Sequence, residues 1–278
     1  MTVTSSSTSS SSIARSGTNV FEIGKYYVVL QIVEAAERNA CSSKTKSSSS
    51  SIPPPKNPPP PKPLLIGMPC EATGKLPMLL LLHGYLLSNS FYSQLINHIA
   101  SHGFIVIAPQ LYTIVGPNSS DEIKSTAAII NWLSEGLYTS LKFSTLIGID
   151  PVDGMDTGKQ TPPPMLTYVP QSFDLEMPVM VIGSGLGEVK RNILFPPCAP
   201  KGVNHEDFFN ECWKLACYFV AKDYGHLDML NDHTKEITGK ATYCLCKNGN
   251  SRQPMRRFVG GVMVAFIKAY LEGDSSWL

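Results

Sequence analysis

The stretch "KLPMLLLLHGYLLSNSFYSQLINHIASHGFIVIAPQ", residues 75–110, decides the fold. It opens on a continuous apolar run that stops at Gly84, the pattern of a strand buried on both faces. "SFYSQLINHIASHG" follows, with Leu95, Ile96 and Ile99 on one helical face and Gly103 where a C-terminal cap belongs. "FIVIAPQ" is a second wholly apolar strand. A buried strand, an amphipathic helix and another buried strand are the repeating unit of a sheet covered by helices on both sides.

The pattern extends in both directions. Upstream, "KYYVVLQIVEAA" and "PLLIGMPCEA" are rich in β-branched and aromatic residues and read as an antiparallel pair of strands. Downstream, "SSDEIKSTAAIINWLSEG" is a helix with Ser119 or Ser120 as N-cap and two acids in its first turn. "LKFSTLIGID", "MPVMVIGSG" and "ACYFVAKDYGH" read as strands, "NHEDFFNECWKL" as a short helix, and residues 254–271 as the last helix. The fold class expected is α/β with a mostly parallel sheet. Residues 1–19 are a Ser-rich leader, with the composition of a plastid or mitochondrial transit peptide or of a plain leader. Residues 20–273 form one domain, interrupted at 42–63 by the polyproline-type connector "SSKTKSSSSSIPPPKNPPPPKP", and 274–278 are a tail.

Composition narrows the function. The chain has 278 residues, is 43% hydrophobic and 16% charged, and carries a formal net charge of +1. A core is affordable, and no basic stripe argues for nucleic acid. The run "FVGGVMVAFIKAYL" follows Arg256 and Arg257 and is broken by Lys268, well short of the ~18–20 uncharged residues of a membrane span. Seven cysteines show neither C-x-x-C nor metal spacing. The expectation is that all seven are reduced packing residues, without a disulfide framework or a zinc site.

In open α/β sheets the ligand sits beyond the carboxyl ends of the strands. One strand ends in His83-Gly84-Tyr85, a turn suited to an oxyanion hole, though a Gly that only permits a bend would read alike. Another ends in Asp150-Pro151-Val152-Asp153-Gly154, where a carboxylate can orient a histidine or can cap a turn. The last ends in Tyr224-Gly225-His226, where a general base belongs. His98, His102, His205 and His233 have no such context and are assigned surface or supporting roles.

Long stretches carry a closer likeness. "LHGYLLSNSFYSQLINHIASHGFIVIAPQLY", "LIGIDPVDG", "VMVIGSGLGEVKR", "CAPKGVNHEDFFNEC", "FVAKDYGHLDMLND" and "CLCKNGNSRQPMRRFVGG" resemble plant chlorophyllase over residues 20–273. The resemblance implies an α/β-hydrolase fold and a carboxylic ester hydrolase that cleaves the phytyl ester of chlorophyll to chlorophyllide and phytol, without metal or cofactor. It implies Asp150 as triad acid, with Asp153 the second choice, His226 as base, and Gly84 and Tyr85 as oxyanion loop, the Tyr85 N–H donating. The implied partner is chlorophyll or a related phytylated pigment. No transmembrane segment is expected, and peripheral membrane association is left open. The implied compartment is the chloroplast, with cytosol or endomembrane as alternatives.

One departure is decisive for activity. The family's nucleophile lies in a G-H-S-R-G-G elbow between the helix "NWLSEGL" and the strand "LKFSTLIG". Here Tyr138-Thr139-Ser140 alone joins them, and none of the 21 glycines begins a G-x-S-x-G. The central elbow strand and the helix after it are missing, on the order of 25–40 residues. Ser184 in "IGSGLG" is no substitute by motif, and Ser140 and Ser144 fall at the wrong end of a strand. The expected accommodation is a slide of "STLIGID" into the vacant central slot, which would carry Asp150 out of its role; the alternative is a gap in the sheet with unpaired backbone. The expectation is a family member that does not turn over. Alternatives are a pigment-binding variant without catalysis and a truncated splice or gene-model product. A general lipase or cutinase would share only the scaffold.

Overall fold

The computed structural model describes residues 19–35, 58–112, 119–137, 141–213, 215–234 and 243–273. Most of the leader, residues 42–57 of the connector, the junction 138–140 and the tail lie outside the described residues.

Strands β1 (Val28–Val33), β2 (Leu64–Pro69), β3 (Met78–Leu80) and β4 (Ile105–Pro109) form one sheet in the order β1-β2-β4-β3. β2 is antiparallel to β1 and to β4, while β3 runs parallel to β4. Strands β5 (Leu146–Ile149), β6 (Val179–Ser184) and β7 (Ala216–Ala221) form a second, wholly parallel sheet in the order β5-β6-β7. Central β6 is buried along its whole length, as its unbroken apolar sequence requires. Outer β1 is largely exposed.

The strands fall into two sheets, with β3 at an edge of the first and β5 at an edge of the second, and the sequence junction lies between α2 and β5. The expected slide does not occur: among the described residues β5 pairs with β6 and with no strand of the first sheet, in the register Leu146↔Val179 to Ile149↔Ile182. The Asp150 N–H continues this ladder to the Ile182 carbonyl at 2.6 Å. Sliding would break these bonds. Staying leaves two inner edges unpaired, and partial exposure lets their backbone groups reach water. Met78 on β3 is 40% exposed and Leu146 on β5 is 48% exposed, where strands buried on both faces were expected.

Both half-sheets share one apolar core. Leu81, Val106 and Ala108 from the first and Met180 and Ile182 from the second belong to the same cluster. It also holds Leu95, Ile96 and Ile99 of helix α1 (Ser93–Ser101) and much of the last helix. Helix α2 (Ser120–Leu137) joins the two sheets, and α3 (His205–Glu211) starts on an Asn204 capping box. Helix α4 (Arg252–Glu272) is buried over most of its surface and ends at Gly273 in the left-handed region, φ 68°. No described helix is long and apolar enough to cross a membrane.

The cysteine expectation is corrected. Cys198 and Cys246, 48 residues apart, form a disulfide, while Cys70, Cys212, Cys217 and Cys244 are free. The pair lies in two loops that meet only in the folded chain, so no sequence spacing announces it. The histidines depart too. His98 and His102 are buried, and their Nε2 atoms meet the carbonyls of Val20 and Glu22 at 2.8 and 2.9 Å, fastening the N-terminal segment to α1.

Candidate active site

Asp150 stands directly after β5 with φ +46°, a backbone turn that Asp tolerates better than most residues. This places its carboxylate beneath the carboxyl ends of β6 and β7, fully buried. His226, on the loop after β7, donates from Nδ1 to Asp150 Oδ2 at 2.8 Å. That bond fixes the Nδ1–H tautomer and leaves Nε2 as the basic nitrogen. Burial raises the Asp150 pKa, but hydrogen bonds from His226 and Ser184 and the neighbouring His226 and His205 outweigh it and hold the carboxyl below its usual value. The group is therefore an anion placed to stabilise a positive charge on His226.

The turn carrying His226 is itself held. Asp228 Oδ2 accepts from the N–H groups of Gly225 and Gly249, each at 2.7 Å. Gly225 has no room for a side chain, since a Cβ would come within 1.9 Å of the Lys247 carbonyl oxygen. The Gly before the histidine is thus a packing requirement of the close approach between the two loops.

Two residues not assigned to the site in the sequence complete the polar cluster. Ser184, the last residue of β6, gives Asp150 both its N–H (2.9 Å, to Oδ1) and its hydroxyl (2.5 Å, to Oδ2). The hydroxyl is directed at the carboxylate, not at the imidazole, so nothing activates it as a nucleophile. His205 at the start of α3 is buried with Nε2 3.7 Å from Asp150 Oδ1. Its Nδ1 lies 2.6 Å from the hydroxyl of Tyr218, whose pKa burial pushes up to about 12 and which therefore stays a donor. Gly183 makes the space: a Cβ there would fall 2.3 Å from the His205 ring. The sequence signals were a polar residue closing an apolar strand and a histidine beside a helix cap, and each demands a buried partner. Asp153 is occupied elsewhere, its Oδ2 accepting from Gln160, Met165 and Leu166.

The His83–Tyr85 turn is built as a fixed loop. His83 Nε2 accepts from the Leu111 N–H at 3.0 Å, so Nδ1 carries the proton and donates to the Gly84 carbonyl. Burial lowers the His83 pKa, partly offset by that carbonyl, and the ring stays neutral. The Gly84 N–H is engaged by the Tyr92 hydroxyl at 3.1 Å. Among the described residues the Tyr85 N–H has no acceptor and its side chain is exposed. Among the described residues, no hydrogen bond links this loop to the Asp150 cluster and no side-chain hydroxyl is hydrogen-bonded to His226 Nε2.

A sheet of this order, with an acid and a histidine meeting at its carboxyl edge, defines the α/β-hydrolase class. The Chlorophyllase family model matches residues 16–141 and 138–278, nearly the entire length. The chain belongs to the chlorophyllase family, whose members are carboxylic ester hydrolases. Chlorophyllase-2 of Arabidopsis thaliana is 56% identical over 297 residues, covering 93% of this chain and 91% of the relative. Chlorophyllase-1 of Arabidopsis thaliana is 42% identical over 254 residues (77% and 78%), and the chloroplastic Chlorophyllase-1 of Citrus unshiu 42% over 248 (77% and 74%). The 297 aligned positions exceed the 278 of this chain, and the two matched stretches meet at 138–141, between α2 and β5.

Proposed function

We propose that this chain carries the site of a chlorophyll ester hydrolase, directed at the phytyl ester of chlorophyll-type pigments, and that it lacks the nucleophile of that site. The observation that carries the reading is the Asp150–His226 pair at 2.8 Å, on strand ends of a chlorophyllase-family chain. In a complete site a serine hydroxyl attacks the ester carbonyl while His226 Nε2 takes its proton. Asp150 stabilises the imidazolium, and the Gly84–Tyr85 loop offers a backbone N–H to the developing oxyanion. The imidazolium then protonates the departing phytol oxygen, and water releases the acid product, chlorophyllide. In this chain the first step has no agent, so pigment is bound without turnover.

Support for the missing nucleophile comes from the absence of G-x-S-x-G and from the two family-model stretches meeting at 138–141. The lipophilic substrate is met at a lipid surface by peripheral association, and the plastid is the compartment favoured by the relatives named chloroplastic. The test is labelling with a fluorophosphonate probe alongside a chlorophyllide-release assay. The chain as written is expected to stay unlabelled and release nothing, and a version with the elbow segment restored to label and turn over. Labelling of the chain as written would overturn the reading. Genomic sequence between the codons for Leu133 and Lys142 tests separately whether the junction arose by splicing.

A further inference from the structure

The loop that leaves β6 presents an apolar tip that nothing described in the fold covers. Ile193 is 97% exposed and Leu194 85%, and Phe195 beside them is exposed as well. The loop is nonetheless firmly built. Lys190 forms a β-bridge with Cys246, and Arg191 Nη1 donates to the Tyr243 and Cys246 carbonyls at 3.0 and 3.4 Å. The returning limb is stapled to the same segment by the Cys198–Cys246 disulfide. At the tip, Asn192 Oδ1 accepts from the N–H groups of Leu194 and Phe195, at 3.0 and 3.2 Å, in an Asx-type turn. The fold thus spends a disulfide, a bridge and a guanidinium on holding three apolar side chains out in water.

Charge selects the occupant. Residues 185–202 carry three exposed cations, Lys190, Arg191 and Lys201, against one exposed acid, Glu188, whose Oε1 accepts from Asn204 Nδ2 at 2.8 Å. Lys247, also exposed, sits on the segment to which the loop is tied. An apolar tip on a loop with a surplus of cations matches an anionic bilayer, where large side chains enter the acyl boundary and long basic ones reach the headgroups. The loop also leaves the strand end that bears Ser184, and the Leu186 N–H meets the Tyr224 carbonyl at 2.9 Å, two residues before His226. A bilayer touching the tip therefore lies at the carboxyl edge of the sheet.

We infer that the loop from Lys190 to Cys198 is the membrane-docking element of this protein, with Ile193, Leu194 and Phe195 inserting into an anionic lipid surface. The inference rests on the surface association proposed above and names the part of the chain that performs it. The test uses the full chain and pigment-free vesicles of phosphatidylcholine with phosphatidylglycerol at about 30 mol%. The unmodified chain is expected to cosediment with these vesicles and to bind pure phosphatidylcholine more weakly. Ile193→Glu combined with Leu194→Glu should weaken binding about tenfold or more, with an unchanged circular dichroism spectrum. A second variant, Ile193→Trp, should show blue-shifted indole emission on adding vesicles. Unmodified chain and double variant binding equally, with no emission shift, would overturn the loop assignment while leaving surface association standing. An unmodified chain that does not bind overturns both. A dimer that the double variant dissociates, without vesicle binding, would assign the tip to a second copy instead.

Discussion

At the residue scale, Ser184 shows how much a single hydroxyl can mean in two different roles. Its motif neighbourhood tempts a nucleophilic reading, but its proton is committed to Asp150 Oδ2 at 2.5 Å. The bond is buried and its acceptor is charged, so removing it costs about 2 kcal/mol. Ser184→Ala should lower the unfolding free energy by that amount in urea and leave fluorophosphonate labelling unchanged, at nil. A loss of labelling in an elbow-restored chain without loss of stability would contradict this role. His98 and His102 make a second residue-scale prediction. Burial lowers both pKa values; the Val20 and Glu22 carbonyls oppose it in part, Arg257 lowers that of His98, and each histidine has a cationic neighbour. A folded pKa below the unfolded value of about 6.5 means that the unfolded chain binds more protons below that pH. Their contribution is complete above about 6.5 and is lost as pH falls through the window beneath it. The urea midpoint should therefore drop from pH 7 to pH 5. His98→Gln with His102→Gln, which keep a donor for the two carbonyls, should flatten that drop.

At the element scale, the two inner edges distinguish this sheet from a continuous one. The Leu81 N–H and the Pro77 carbonyl pair with β4, so alternation turns the Met78 and Leu80 N–H groups toward the open side. On β5 the Leu146 and Asp150 N–H groups pair with β6, which turns those of Ile147 and Ile149 outward. Hydrogen exchange should be fast at Leu80, Ile147 and Ile149 and slow at Met180 and Val181 of central β6. Equal protection on both strands would mean that the edges are covered. This scale also separates what the sequence could reveal from what it could not. The apolar runs "FIVIAP" and "VMVIGS" announce strands because burial on both faces favours an unbroken apolar run, whereas "MLLLL" reads the same way although β3 is partly exposed. Asp150 and His226 stand out as candidates in the sequence because each follows a strand, and the fold brings them together at 2.8 Å. The disulfide and the partners of His205 were not legible, and the division of the sheet stood only as the alternative to a slide. Each depends on which distant segments meet, and β5 keeps β6 as its partner because a ladder and the buried hydrogen bonds of Asp150 outweigh two wetted edges.

At the scale of the whole molecule, two half-sheets are held together by one core rather than by a continuous ladder, and residues of α1 and α4 belong to that same core. Unfolding either half exposes apolar surface shared with the other, so a single cooperative transition is expected despite the divided sheet. A restored elbow strand would pair with β3 on one side and β5 on the other. Met78, Leu80, Ile147 and Ile149 would then gain ladder partners, each net bond contributing about 1 kcal/mol, and the exposed faces of Met78 and Leu146 would be covered. Ordering the added residues offsets much of this, at about 1–2 kcal/mol per residue for backbone alone. The expected net gain is therefore small per residue but positive, because those residues also bury side chains on both faces of a central strand. A chain with the segment restored should melt several degrees higher, with one sharper transition and with exchange at Ile147 and Ile149 slowed to that of β6. If the restored chain melts no higher and those amides still exchange fast, the added strand does not enter the sheet, and the open edges are a stable feature of this fold.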